Sequence, residues 1–180
     1  MRKEYGQALR KLFEADLIAA APGWEAVPVK SMYLFPGERA FRRVVSDAMH
    51  LWCVLVPDAK VDRFAVDIGW SRRARFPELS MRPSAGEPRT ALSRDEFFCR
   101  LGKLAHGYDY WWVFEPFHLP ASTDEMARQL APVPAAEARA RVAPMVIDAI
   151  AALKLHGEPY LAEAVRARGG PEGTETVDRT

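Results

Sequence analysis

Apolar residues in the first segment, MRKEYGQALRKLFEADLIAA, recur at helical spacing at Tyr5, Leu9, Leu12, Phe13, Leu17 and Ala20, with the charges on the other face. Pro22-Gly23 closes the pattern, so a helix is expected over about 2–20. From Val27 to Trp70 the period shortens to two, which predicts strands at 28–34, 39–46, 50–56 and 63–70. Pro36-Gly37, Ser46-Asp47 and Pro57-Asp58 separate them, and such short connections favour an antiparallel meander. In the last strand Phe64, Val66, Ile68 and Trp70 share one face, while Ala65, Asp67 and Gly69 share the other. Leu51 to Val56 is apolar on both faces, as a central strand covered on both sides would be.

Residues 71–92 hold three prolines and no sustained period, and are expected to form a long surface loop. The next stretch carries two conflicting signals. Ser93 and Glu96 form a capping box that predicts a helical turn, whereas Phe97, Cys99 and Leu101 alternate as in a strand. Tyr110 to Phe114 suits a further strand, closed by Glu115-Pro116. Beyond Pro120 the pattern is helical: Ser122 and Glu125 make another capping box, Pro134 suits a first turn, and Ala143, Val146, Ile147, Ile150 and Leu153 follow helical spacing. Pro144 is expected to kink or split that helix, and Gly157 to end it before a last helix over 158–168. The prediction is one α+β domain over 1–168: an N-terminal helix, an antiparallel sheet of about five or six strands, and a helical C-terminal layer. Residues 169–180 form a polar tail expected to fray.

With 49% apolar and 27% charged residues, the chain has the balance of a folded domain. A formal charge of +1 makes nucleic acid an unexpected partner. Charges interrupt the first apolar run, which argues against a signal peptide, and no apolar run reaches the roughly 20 residues that span a bilayer, so no membrane association is expected. Cys53 and Cys99 lie in apolar stretches, which fits two unreactive thiols in a reducing cytoplasm better than a disulfide or a zinc site.

Chemistry-bearing patterns are sparse. The four histidines lack metal-ligand spacing, and no G-x-S-x-G elbow, phosphate loop or dinucleotide fingerprint occurs. Neither catalytic residues, a metal nor a cofactor is therefore expected. Asp67, between the small Ala65 and Gly69, could anchor a ligand, although an internal pair with Arg43 or another arginine of a neighbouring strand is favoured. Six arginines against two glutamates between Ser71 and Arg94 make the one basic concentration, and Arg72, Arg73 and Arg75 are candidates for recognising an acidic protein surface. On a strand Trp111 and Trp112 would point to opposite faces. Whichever faced solvent would be a binding anchor, and Trp112 is the candidate.

Phe41-Arg42-Arg43, Asp67-Ile68-Gly69, Arg100-Leu101-Gly102-Lys103-Leu104 and Asp109-Tyr110-Trp111-Trp112, in that order, resemble the motifs of a bacterial family known only as a domain of unknown function. The likeness covers residues 2–165. It implies a helix, an aromatic-rich antiparallel sheet and then helices in a small cytoplasmic protein, with some similar folds serving as toxin-immunity partners. It favours strand at 97–104 and makes the tryptophan pair a mark of the fold. Asp67 departs from it, standing where that family more often carries asparagine. Together these readings point to a non-catalytic binding protein of the immunity or antitoxin kind. The alternative is a small-ligand-binding protein or enzyme with a pocket between sheet and helices.

Overall fold

Helix α1 (Lys3–Ala20) lays Tyr5, Leu9, Phe13 and Leu17 into the core, four residues apart as a buried helical stripe must be. The computed structural model describes residues 1–28, 34–72, 75–78, 82–88, 95–116 and 118–168. After α1 come β1 (Glu25–Val27), β2 (Arg39–Ser46), β3 (Met49–Pro57), β4 (Arg63–Arg72) and β5 (Phe97–Arg100), paired antiparallel in chain order. A short helix α2 (Leu101–His106) leads to β6 (Trp112–Val113), which pairs with β4 beyond the end of β5. Helices α3 (Thr123–Leu130) and α4 (Ala135–Ala152) follow, then a π-helical turn (Leu153–Gly157) and α5 (Glu158–Arg168). The architecture is α+β, with a six-stranded sheet among the described residues and helices on one face.

Strand parity sorts the core into two layers. Leu51, Cys53 and Leu55 of β3 and Phe64, Val66, Ile68 and Trp70 of β4 face α1, α4 and α5 in the larger cluster. On the opposite face Trp52, Val54, Ala40 and Phe98 make a smaller cluster, closed by Phe76. Phe76 is fully buried, with ring centroids 4.7 Å from Trp52 and 5.5 Å from Phe98. Part of the segment expected to be a surface loop is thus a cover for the sheet. Farther along, Gly86 bridges to Cys99 and Tyr160 of α5 donates a 2.7 Å hydrogen bond to the Pro88 carbonyl.

Other differences have local causes. The stretch 97–104 is neither one strand nor one helix: β5 runs four residues, and α2 starts at Leu101. Ser93 lies outside the described residues, as do 29–33 within the strand expected at 28–34, and the tail 169–180. Only Trp112 and Val113 of the strand expected at 110–114 pair with β4. Helix α4 is not split, because it runs through Pro144 to Ala152. Gly157 does not stop the helical layer, which passes through the π turn into α5. A β-carbon there would lie 2.7 Å from Leu153 and 3.3 Å from Ile68 and Leu101, so glycine lets the turn press onto the sheet. The Ser122 cap at α3 forms, with Glu125 N–H donating to Ser122 Oγ at 3.2 Å, while the Glu125 carboxylate reaches one residue past the cap and accepts from Ala121 N–H at 2.7 Å.

Candidate functional site

Asp67 lies on the loop-covered face, 1% exposed, and both of its oxygens are taken. Arg82 Nη1 donates to Oδ2 at 2.6 Å, and Arg100 Nε donates to Oδ1 at 3.1 Å. Arg100 is its register partner on β5, so the expected pairing with an arginine of a neighbouring strand forms, though not with Arg43. Arg43 shares the other face with Phe41 and makes a bidentate pair with Glu158 of α5, both contacts 2.7 Å. The space beside Asp67 is filled by the neighbouring backbone: a β-carbon on Gly69 would come 2.0 Å from the Phe97 carbonyl oxygen.

Arg82, from the 71–94 connection, also donates to Glu38 Oε1 at 2.6 Å, and Glu38 Oε2 accepts from Phe35 N–H at 3.0 Å. Arg100 reaches Asp109 at 3.2 Å. Charges therefore alternate from Glu38 through Arg82, Asp67 and Arg100 to Asp109. Each interior charge meets its opposite, which is the condition for burying any of them. Sequence reasoning missed Arg82 and Glu38, both isolated residues in stretches without a period.

The segments 100–104 and 109–112 interlock. Gly102 lies under Tyr110, where a β-carbon would be 2.6 Å from the Tyr110 carbonyl oxygen. Trp111 is half-buried between the guanidiniums of Arg63 and Arg100, at 4.4 and 4.5 Å from the ring centre. Trp112 is buried instead of exposed. It stacks on Phe64 at 5.4 Å and its indole N–H donates to Asp148 of α4 at 2.7 Å, so it serves the core. This aromatic corner joins β6 to the helical layer.

The arginines at the start of the 71–94 connection are exposed and already have acidic neighbours. Arg72 lies 3.1 Å from Asp95, and Arg75 lies 3.2 Å from Glu96. Arg73 lies outside the described residues. Cys53 and Cys99 are buried free thiols. Burial pushes Cys53 well above the usual thiol range, aided by the charges of Glu158 and Asp67. Burial likewise pushes Cys99 up, to about 12. Neither supplies thiolate near neutral pH. Among the described residues, no group of three or more His, Cys, Asp or Glu is placed to hold a metal ion, and no helix is long and apolar enough to cross a membrane.

A different surface carries cations without acidic partners. Between α1 and the β1–β2 edge runs a groove of about 580 Å³, floored by Ala26 and Phe41 and lined by Gln7, Arg10, Lys11, Glu14 and Arg39. Arg10, Lys11 and Arg39 form no ion pair with any described residue. No family model matches the chain, and neither a curated protein nor a solved structure is significantly similar to it.

Proposed function

We propose that this chain is a non-catalytic binding protein that holds an acidic surface of another protein, in the manner of immunity and antitoxin proteins, which act by covering a partner. The observation that carries this reading is the contrast in charge. The interior carboxylates Glu38 and Asp67 are spanned by a single guanidinium, at 2.6 Å each, while cations on the α1 flank face solvent without partners. A guanidinium retains its proton throughout the physiological range, so a carboxylate pair bound to it is held in place and is a poor proton relay. Exposed unpaired cations attract and orient an acidic partner and accelerate encounter. A pocket built on Asp67, the alternative, would have to displace Arg82 or Arg100 from a carboxylate with both oxygens occupied.

The test is capture from source-cell lysate on the immobilised chain, followed by purification of the captured protein and its titration against the free chain. The reading expects a saturable complex whose affinity falls as salt rises, with the captured protein left chemically unchanged. A captured protein cleaved or modified by the chain, or an affinity indifferent to salt, would overturn it.

A further inference from the structure

We infer that the flank of α1 is a docking track for an extended acidic segment of the partner, an assignment that rests on the binding reading above. The groove does not end at Arg10. A second hollow of about 210 Å³, lined by Lys3, Gly6, Arg10, Pro36, Gly37 and Pro57, begins there. Arg10 borders both hollows, and together they follow one side of the helix. Lys3, Gln7, Arg10, Lys11 and Glu14 stand at i, i+4, i+7, i+8 and i+11, which places them on one flank. Lys3, like Arg10, Lys11 and Arg39, has no ion pair with a described residue. Asp58, at the rim of the second hollow, is held by Arg63 at 2.8 Å and by the N–H groups of Lys60 and Val61.

The shape decides the class of occupant. From Lys3 to Glu14 the helix rises about 16 Å at 1.5 Å per residue. Roughly five residues of extended chain cover that distance. A single small anion would satisfy one cation and leave the others facing water, whereas an acidic segment meets Lys3, Arg10, Lys11 and Arg39 in succession. Glu14 gives the track a direction. It repels a carboxylate at its own end, so the segment carries its acids toward Lys3, Arg10 and Lys11 and a neutral or basic residue beside Glu14.

The probe is a fluorescein-labelled peptide of about six residues with glutamates at one end and a lysine at the other, read by fluorescence anisotropy at about 0.05 M and about 0.5 M salt. Binding at low salt should weaken at least about tenfold when Arg10→Glu and Arg39→Glu are combined, and should be little changed by Arg72→Glu with Arg75→Glu. Circular dichroism melts check that each variant is folded. Glu14→Gln supplies a change of opposite sign that needs no loss of structure: affinity for an all-glutamate peptide should rise about two- to fivefold. Inorganic phosphate and a single-stranded oligonucleotide are run as competitors. Either one displacing the peptide at equal charge concentration would overturn the choice of occupant, and so would absence of peptide binding at low salt. If reversal at Arg72 and Arg75 abolishes binding while reversal at Arg10 and Arg39 does not, the track is discarded and the acidic-partner reading stands. If groove reversal abolishes peptide binding but leaves lysate capture intact, the track is a real anion site and the captured protein is not its occupant.

Discussion

The two faces of the sheet are sealed by different means. On the helical face α1, α4 and α5 bury a continuous layer from Tyr5 to Ala164, and the Arg43–Glu158 pair sits at its edge beside Trp24. On the other face the apolar patch is small, and its cover is a connecting segment that enters the sheet through Phe76 and Arg82. Helices bring their own backbone hydrogen bonds to a surface and need only an apolar stripe. A non-repetitive segment must find partners for each buried polar group, so an apolar plug alone does not fix it. Here a guanidinium, bound to one carboxylate on β4 and another just before β2, supplies the remaining constraint.

Removing one ring from each face separates the two modes of closure. Phe13 and Phe76 are 1% and 0% exposed, respectively. Phe13→Ala leaves a cavity walled by helix and strands that cannot close, and should cost about 4–5 kcal/mol. Phe76→Ala removes a ring from a segment that can settle into the gap, and should cost nearer about 3 kcal/mol. Urea denaturation measures both. Hydrogen exchange should show the second loss confined to residues around 75–88 and the first spread over α1 and the sheet. Equal costs with equal spread would mean that the two faces are one cooperative layer.

The same difference explains what could be read in the sequence. The strand 39–46 is found where its alternation places it, and the segments 50–56 and 63–70 lie within β3 and β4, because their apolar residues repeat against a large core. Phe76 is a single aromatic among prolines and has no period to reveal its burial. Arg82 likewise looks like any loop arginine. Parity held part of the signal for Asp67: Arg43 has the parity of Phe41 and so faces the helices, whereas Arg100 has the parity of Phe98 and shares the Asp67 face. Arg42 and Arg63 share that face as well, and only the pairing of β5 with β4 brings Arg100 opposite Asp67. The strand expected at 110–114 shrinks to Trp112–Val113 because aromatic content does not say which residues find a pairing edge, and Tyr110 instead packs its backbone on Gly102. Of the candidate site residues, Trp112 goes to the core for a related reason, since its neighbour Trp111 takes the half-buried place between two arginines.

A smaller effect separates the faces by pH. Burial acts to raise the Glu158 carboxyl, but hydrogen bonds from Arg43 and Trp24 outweigh it and hold the group below the ordinary carboxylate value of 4.5. A depressed carboxylate contributes stability above its unfolded value and loses it as pH falls through the folded one. Urea midpoints should therefore decline on acidification through and below pH 4.5, and Glu158→Gln should flatten part of that decline. A wild-type midpoint unchanged down to about pH 3 would show that the Arg43–Glu158 pair does not stabilise the fold.

The smallest expected effect is at Arg72 and Arg75. Arg72→Gln should change stability by less than about 0.5 kcal/mol, since Arg72 and Asp95 are both exposed, and Arg75→Gln by no more than about 1 kcal/mol, since Arg75 is exposed although its partner Glu96 is only 10% so. A large drop in melting temperature would show that these arginines, like Arg82, hold the cover in place.

Asp67 is an internal counter-ion that closes the loop-covered face. A double-mutant cycle between Arg82→Met and Asp67→Asn, followed by urea unfolding, measures that closure. Arg82→Met alone should cost about 3 kcal/mol, because it strands Glu38 and half of Asp67. The coupling energy between the two sites should be about 2 kcal/mol. Additivity within about 0.5 kcal/mol, with Arg82→Met nearly silent, would mean that the pair does not hold the cover and would return Asp67 to the groups free to meet a ligand.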